Sequence, residues 1–134
     1  MHSDFKDLLS CLSEVDAQYI VVGAHALAAH GHVRATKDID IWIKPSQENA
    51  SRVYKALAKF GAPLGELTVE DLATPGIIFQ IGVAPIRIDI ITRIDGVEFD
   101  KAWESKLTTA IDQMEVNILS REHLLQNKRA AGRL

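Results

Sequence analysis

Three aspartates hold the chemistry this sequence can do. Asp38 and Asp40 stand two apart in the run Lys37-Asp38-Ile39-Asp40-Ile41-Trp42-Ile43. Asp89 sits in a second apolar run, Ile86-Arg87-Ile88-Asp89-Ile90-Ile91. Both runs read as strands. A strand alternates its faces, so Asp38 and Asp40 point the same way, about 7 Å apart at ~3.4 Å per residue. Carboxylates side by side in a half-buried setting repel each other, and a divalent cation is the usual counter-charge. A third carboxylate from a neighbouring strand would complete a magnesium site. By the same alternation Arg87 and Asp89 face the cleft, while Ile86, Ile88 and Ile90 face the core. Read alone, Asp89 is also an ion-pair partner for Arg87.

A second feature precedes the carboxylates. The apolar run Gln18-Tyr19-Ile20-Val21-Val22 ends in Gly23, and an Ala-rich helical segment from Ala24 to His30 begins at once. Such a junction aims backbone N–H groups and the positive end of a helix dipole at one point, where a phosphate chain would sit. The small Gly23 and Ala24 let a ligand approach the backbone closely. The chain then returns through the strand of Asp38 and Asp40. Phosphate cradle and carboxylate pair therefore fall at the same end of adjacent elements.

Around these positions each residue has a functional and an ordinary reading. Arg34, Thr36 and Lys37 lie just before the carboxylates and suit phosphate oxygens through charge-assisted bonds; they equally suit a solvated loop edge. His25, His30 and His32 are spaced five and two apart. That spacing does not put three ligands on one helical face, and no cysteine pair helps, so a zinc site is not expected. His25 alone stands close to the phosphate turn. Trp42 shares the alternation of Asp38 and Asp40, and suits either a base-stacking wall or the edge of the core. Lys128, Arg129 and Arg133 read first as complements to the dipole of a closing helix. Neither a Walker loop, a dinucleotide-binding fingerprint nor a Gly-x-Ser-x-Gly element is present.

The remaining elements follow from periodicity and caps. Residues 4–14 place Phe5, Leu8, Leu9 and Leu12 on one helical face. Residues 37–43 form a strand ended by Lys44-Pro45. Ser46 caps a helix to about Phe60, with Val53, Leu57 and Phe60 inward and Gly61 after it. Thr68 with Asp71 resembles a capping box before a short helix, broken by Pro75-Gly76. Ile77–Ile81 and Ile86–Thr92 read as paired strands around Val83-Ala84-Pro85, and Asp95-Gly96 as a turn. Phe99 to Lys106 reads as a short helix, and Thr108–Ile111 with Glu115–Leu119 as a final hairpin. Ser120 caps a last helix through about Ala131.

Composition narrows the setting. The chain has 134 residues, 47% of them hydrophobic and 25% charged, which fits one compact α/β domain spanning residues 1–134. A net charge of -3 argues against a general nucleic-acid-binding surface. One cysteine, Cys11, forms no internal disulfide, so a reducing cytoplasm is expected. Signal-peptide patterning and a membrane-spanning apolar run are both missing from the sequence.

In combination, Gly23-Ala24, Asp38-x-Asp40 and the later Asp89 resemble the signature of the nucleotidyltransferase superfamily, the polymerase-β-like fold. That signature is a Gly-Ser or Gly-Gly after a strand, then Asp-x-Asp, then a single Asp on another strand. The form Val33-Arg34-Ala35-Thr36-Lys37-Asp38-Ile39-Asp40 is similar to small bacterial members, among them abortive-infection toxin–antitoxin proteins and lincosamide-type enzymes. Asn127-Lys128-Arg129-Ala130-Ala131-Gly132-Arg133 is similar to the closing helix of that group. The resemblance runs from about Tyr19 to the end.

It implies an α/β (α+β) fold: a mixed sheet flanked by helices in a single minimal domain. It implies magnesium-dependent transfer of a nucleoside monophosphate from an NTP such as ATP to a hydroxyl of an acceptor, with pyrophosphate leaving. The acceptor would be a partner protein, a tRNA end or a small molecule. Two metal ions would clamp the attacking and leaving oxygens. Asp38 and Asp40 would bridge them; Asp89 would complete the second site and act as base. The common serine is Ala24 here, so one hydroxyl contact to phosphate is lost while the backbone donors remain. An antitoxin-like or nucleotide-binding partner module with little turnover is the alternative. Larger members add a helical domain that holds the acceptor, which here would come from a second chain, a partner protein or a homodimer mate.

Overall fold

Apolar residues at helical spacing and β-branched runs at strand spacing decide where this chain is regular. The computed structural model describes residues 1–31, 37–83 and 86–132. Helix α1 (Ser3–Glu14) buries Phe5, Leu8, Leu9 and Leu12, the face the periodicity selects. Strand β1 (Tyr19–Val22) runs directly into α2 (Gly23–Ala29), which starts on the glycine itself rather than one residue later. Strand β2 (Asp38–Ile43) leads to α3 (Gln47–Phe60). Ser46 caps α3 by accepting from the Asn49 N–H, and Gly61 closes it in a left-handed conformation. Thr68 and Asp71 form the expected capping box on α4 (Val69–Leu72).

Strands β3 (Ile78–Ile81) and β4 (Arg87–Ile91) follow, then α5 (Phe99–Ser105), the hairpin β5 (Leu107–Ile111) and β6 (Met114–Ile118), and α6 (Arg121–Ala130) capped by Ser120. The connection between β3 and β4 at Ala84-Pro85 lies outside the described residues, as do His32, Val33 and Ala35.

The six strands form one mixed sheet in the order β3-β4-β2-β1-β6-β5. Pairs β1/β2, β3/β4 and β5/β6 are antiparallel, while β2/β4 and β1/β6 are parallel. Cross-strand partners share a face of the sheet. One face therefore carries Tyr19, Val21, Ile39, Ile41, Ile43, Ile88, Ile90 and Ile118, all buried. On this side α3 packs on β2 and α1 packs on α3. The opposite face carries Ile20, Val22, Asp40, Trp42 and Asp89.

Two polar side chains tie elements together. Asn49, 4% exposed, accepts from the Gln18 N–H at 2.7 Å and donates to the carbonyls of Gln18 and Lys44, both at 3.0 Å. It thus fixes the start of β1 and the end of β2 to α3. Buried Thr92 accepts from the Ile77 N–H and donates to the Thr74 carbonyl, tying β4 to the segment before β3. Phe60 is only half-buried; the inward face of α3 is Asn49, Ala50, Val53, Ala56 and Leu57. No helix among the described residues is long and apolar enough to cross a membrane.

Candidate active site

Strand β2 sits between β1 and β4, so its carboxylates meet residues from both. Asp40 pairs with Val22 on β1 and with Asp89 on β4. Asp38 pairs with Arg87. Alternation then puts Asp38, Asp40, Arg87 and Asp89 on one face. The residue after Val22 is Gly23, with φ +71°; a Cβ there would come 2.5 Å from Asp40 Oδ2. Glycine is thus required twice, by a positive φ and by a carboxylate occupying the space of a side chain.

The electrostatics follow from crowding. Asp40 is pushed up to about 6, first by burial, then by the charge of Asp89 and a hydrogen bond to it, and then by Asp38. Arg87 works the other way on Asp40. Its Nη2 lies 3.5 Å from Asp38 Oδ2 and its Nε 3.4 Å from Asp89 Oδ1. The second contact has ion-pair distance without hydrogen-bond geometry, and both Arg87 Nε and Asp89 Oδ1 are buried with no hydrogen-bond partner. Asp89 is buried, Asp40 half-buried and Asp38 exposed, and an orphaned buried carboxylate oxygen beside like charges is a place where a further cation or donor is wanted.

Two clefts share Gly23, Asp40 and Asn127. One, of about 310 Å³, has an apolar wall of Val22, Ile78, Ile91 and Ile94, with Asp89, Arg93 and Asp95 as its charged groups. The other, of about 420 Å³, is lined by Gly23, Ala24, Leu27, Asp40, Leu124, Asn127 and Lys128. Helix α6 reaches both because the Asp95-Gly96 turn holds it there. Asn127 donates to the Asp95 carbonyl at 2.9 Å, and Gln126 donates to the Gly96 carbonyl at 2.6 Å. Gly96 meets Ala130 with no room for a Cβ.

The residues singled out from sequence separate into groups. Asp40, Asp89 and Gly23 come together, Ala24 lines a cleft with Gly23 and Asp40, and Asp38 lies on the same face, tied to Arg87 and lining neither cleft. Lys37 is exposed at the head of β2, and its carbonyl accepts from the Arg87 N–H. His25 turns away from the clefts: its ring packs edge-on against Phe5 at 5.3 Å. Burial lowers its pKa, offset by a hydrogen bond to the Asp38 backbone. His30 contacts the Leu119 carbonyl through Nε2 at 2.9 Å, a structural role. Trp42 is buried and packs edge-on against Phe99 at 4.9 Å, so it closes the core rather than lining a base site. Arg34, Thr36 and Arg133 lie outside the described residues.

The donor set suits a hard divalent cation, since it consists of carboxylate oxygens that repel one another and one orphaned acceptor. Yet among the described residues no three His, Cys, Asp or Glu side chains are grouped closely enough to hold an ion. Arg87 stands where such an ion would neutralise Asp38 and Asp89.

The profile of the family described as nucleotidyl transferase of unknown function (DUF2204) matches residues 2–134. The chain belongs to this nucleotidyltransferase family. Its fold is similar to the crystal structure of a proposed nucleotidyltransferase from Thermotoga maritima, with a TM-score of 0.69 and 18% identity. The match covers 96% of this chain and 83% of that one. At this identity the likeness shows the fold alone. No curated protein matches the sequence.

For a nucleotidyltransferase-family chain the informative surprise is α6. Lys128 lines the cleft beside Gly23 and Ala24, although its sequence position favoured a dipole complement over acceptor binding. Exposed Arg129, next to it, lines neither cleft. The available signal was helical phase: Leu124 and Lys128 are four apart, so the buried leucine marks the side on which the lysine falls.

Proposed function

We propose that this chain transfers a nucleoside monophosphate from an NTP to a hydroxyl of an acceptor, with magnesium held by Asp38, Asp40 and Asp89. The observation that carries this reading is the pairing of Asp40 with Asp89, beside Gly23 and on the face shared with Asp38. Bound magnesium would neutralise the triphosphate and the crowded carboxylates together. Gly23 and Ala24 offer backbone donors to phosphate oxygens, and Lys128 a point charge at the same cleft. Lys37 and, by their sequence positions, Arg34 and Thr36 extend that contact; His25 supports it by bracing the Asp38 backbone. Asp89 takes the proton of the acceptor hydroxyl as the new O–P bond forms and the bond to pyrophosphate breaks. Free Cys11 suits a cytoplasmic setting.

The test is incubation with α-labelled NTPs, magnesium and three acceptor classes: cell-extract proteins, tRNA and small hydroxyl compounds. Label transferred by the native chain and lost with Asp40→Asn supports the reading. Equal transfer by Asp40→Asn, or none by the native chain, ends it.

A second reading is a nucleotide-binding or antitoxin-like module with little turnover. Ala24 in place of a serine, and Arg87 already serving as counter-charge to Asp38 and Asp89, support it. A partner protein that co-purifies equally well with Asp40→Asn, without labelling, would favour this alternative.

A further inference from the structure

Strand β5 ends the sheet, and no strand among the described residues pairs with its outer edge. The residues Leu107-Thr108-Thr109-Ala110-Ile111 contain no charge and no proline, the usual devices that keep an edge from pairing. Asp112 and Gln113, with φ of 50° and 69°, form a two-residue turn of the mirror-image type that suits hairpins. Such a turn bonds the Met114 N–H to the Ile111 carbonyl. Hydrogen-bonded pairs then alternate along the ladder, so Thr109 and Leu107 also bond inward to β6. The main-chain groups of Thr108 and Ala110 point outward.

We propose that a second copy of this chain pairs with β5 in antiparallel fashion about a two-fold axis at Thr109. Three features of the edge agree on this register. Thr108 opposes the mate's Ala110, so the outward donors and acceptors satisfy each other on both sides of the axis. Leu107, 41% exposed, opposes the mate's Ile111 on the same face, so the apolar stripe covers itself. Lys106 opposes the mate's Asp112, placing opposite charges at each end of the paired segment. Shifting the axis to Thr108 or Ala110 loses the charge match.

Lys106 lies over the Trp103 ring at 3.9 Å and donates to the Trp103 carbonyl at 3.3 Å, contacts it would exchange for the mate's Asp112. Asp112 holds the N-terminal ammonium at 3.1 Å through Oδ2. The other sheet edge, β3, lacks this complementarity, and its Ile78 lines the cleft. An isologous β5 interface leaves both clefts open, because β6 and β1 separate it from Asp40.

Sedimentation velocity on the full chain tests the proposal, with a dimer expected at about 100 µM. Proline at Ala110 removes an outward N–H and no internal bond, so Ala110→Pro should weaken the dimer at least about tenfold. Lys106→Glu should weaken it too, with unchanged circular dichroism. The two Thr109 Cα atoms would be about 4.5 Å apart, inside the disulfide range. Thr109→Cys with Cys11→Ser should therefore form a covalent dimer on mild oxidation. A monomer at that concentration, a dimer indifferent to both Ala110→Pro and Lys106→Glu, or failure of Thr109→Cys to cross-link overturns the proposal. Dependence on a different protein bound at β5 overturns it as well.

Discussion

Asp40 and Asp89 are register partners on parallel strands, close enough that Asp89, after burial, raises the pKa of Asp40. Two carboxylates can keep such a contact only with a proton or a cation between them. That single relationship links the stability of the fold to pH and to divalent metal.

The first prediction concerns pH. Asp40 is raised from 3.8 to about 6 by folding, chiefly through burial and then through Asp89. The folded chain holds this proton more tightly than the unfolded one. The stability Asp40 contributes is therefore full below pH about 4 and is lost as pH rises through about 6. After allowance for partial solvent screening the loss is on the order of 2 kcal/mol. Denaturant midpoints at pH 4.5 and 7.5 should differ less for Asp40→Asn than for the native chain, with the variant gaining at pH 7.5. Equal pH slopes for the two proteins would contradict the shared-proton account.

Magnesium should substitute for that proton. Adding the ion at pH 7.5 should raise the melting temperature of the native chain and leave Asp40→Asn nearly unchanged. Arg87→Met removes the internal counter-charge of Asp38 and Asp89, so it should lower stability in the presence of a chelator. It should also raise the pKa of Asp40 further, because Arg87 lowers it. Titration of the Asp40 carboxyl by carbon NMR reads that shift directly; a downward shift would contradict the assignment.

Much of this site was legible in the chain, and the reason is local. Alternation alone aligned Asp38 with Asp40 and Arg87 with Asp89. The Gly23 stop, the caps at Ser46, Thr68 and Ser120, and the strand pairs joined by short turns are likewise short-range signals. What escaped depends on contacts distant in sequence. No periodicity shows that β6 inserts between β1 and β5, or that β2 lies between β1 and β4. Asn49 carries no signal of its role in the sequence, because its three main-chain partners belong to Gln18 and Lys44. Trp42 had the parity of the carboxylates and yet joins the core, because Phe99 from a distant helix covers it.

Asn49 should be among the most sensitive positions of the fold. It satisfies three main-chain groups of Gln18 and Lys44 at once. Asn49→Ala leaves the Gln18 N–H and the Lys44 carbonyl without this partner, while the Gln18 carbonyl keeps the Lys44 N–H, at a cost of roughly 2–3 kcal/mol. Chemical denaturation should show this loss at every pH and with or without magnesium. A change below about 0.5 kcal/mol would mean that water replaces the side chain.

Gly23→Ala is a sharper local test. The substitution faces a positive φ and a Cβ placed against Asp40 Oδ2, so either the strand or the carboxylate must move. A stability loss of about 1–2 kcal/mol is expected from the backbone alone. Displacement of Asp40 should in addition remove the magnesium-dependent rise in melting temperature. Retention of that rise would separate Gly23 from the carboxylate cluster.

Lys128 decides between two roles for α6. As a complement to the helix dipole it contributes about 0.3–1 kcal/mol, and Arg129 in the same turn does the same. As a phosphate contact it acts only when nucleotide is bound, and only Lys128 lines the cleft. The two residues therefore form a matched pair. Lys128→Ala and Arg129→Ala should lower the melting temperature by similar small amounts, while only Lys128→Ala weakens NTP binding, by roughly tenfold. Titration with a non-hydrolysable NTP in magnesium measures the difference. Equal affinity for both variants would return Lys128 to a dipole role and leave Gly23 and Ala24 without a cationic neighbour on α6.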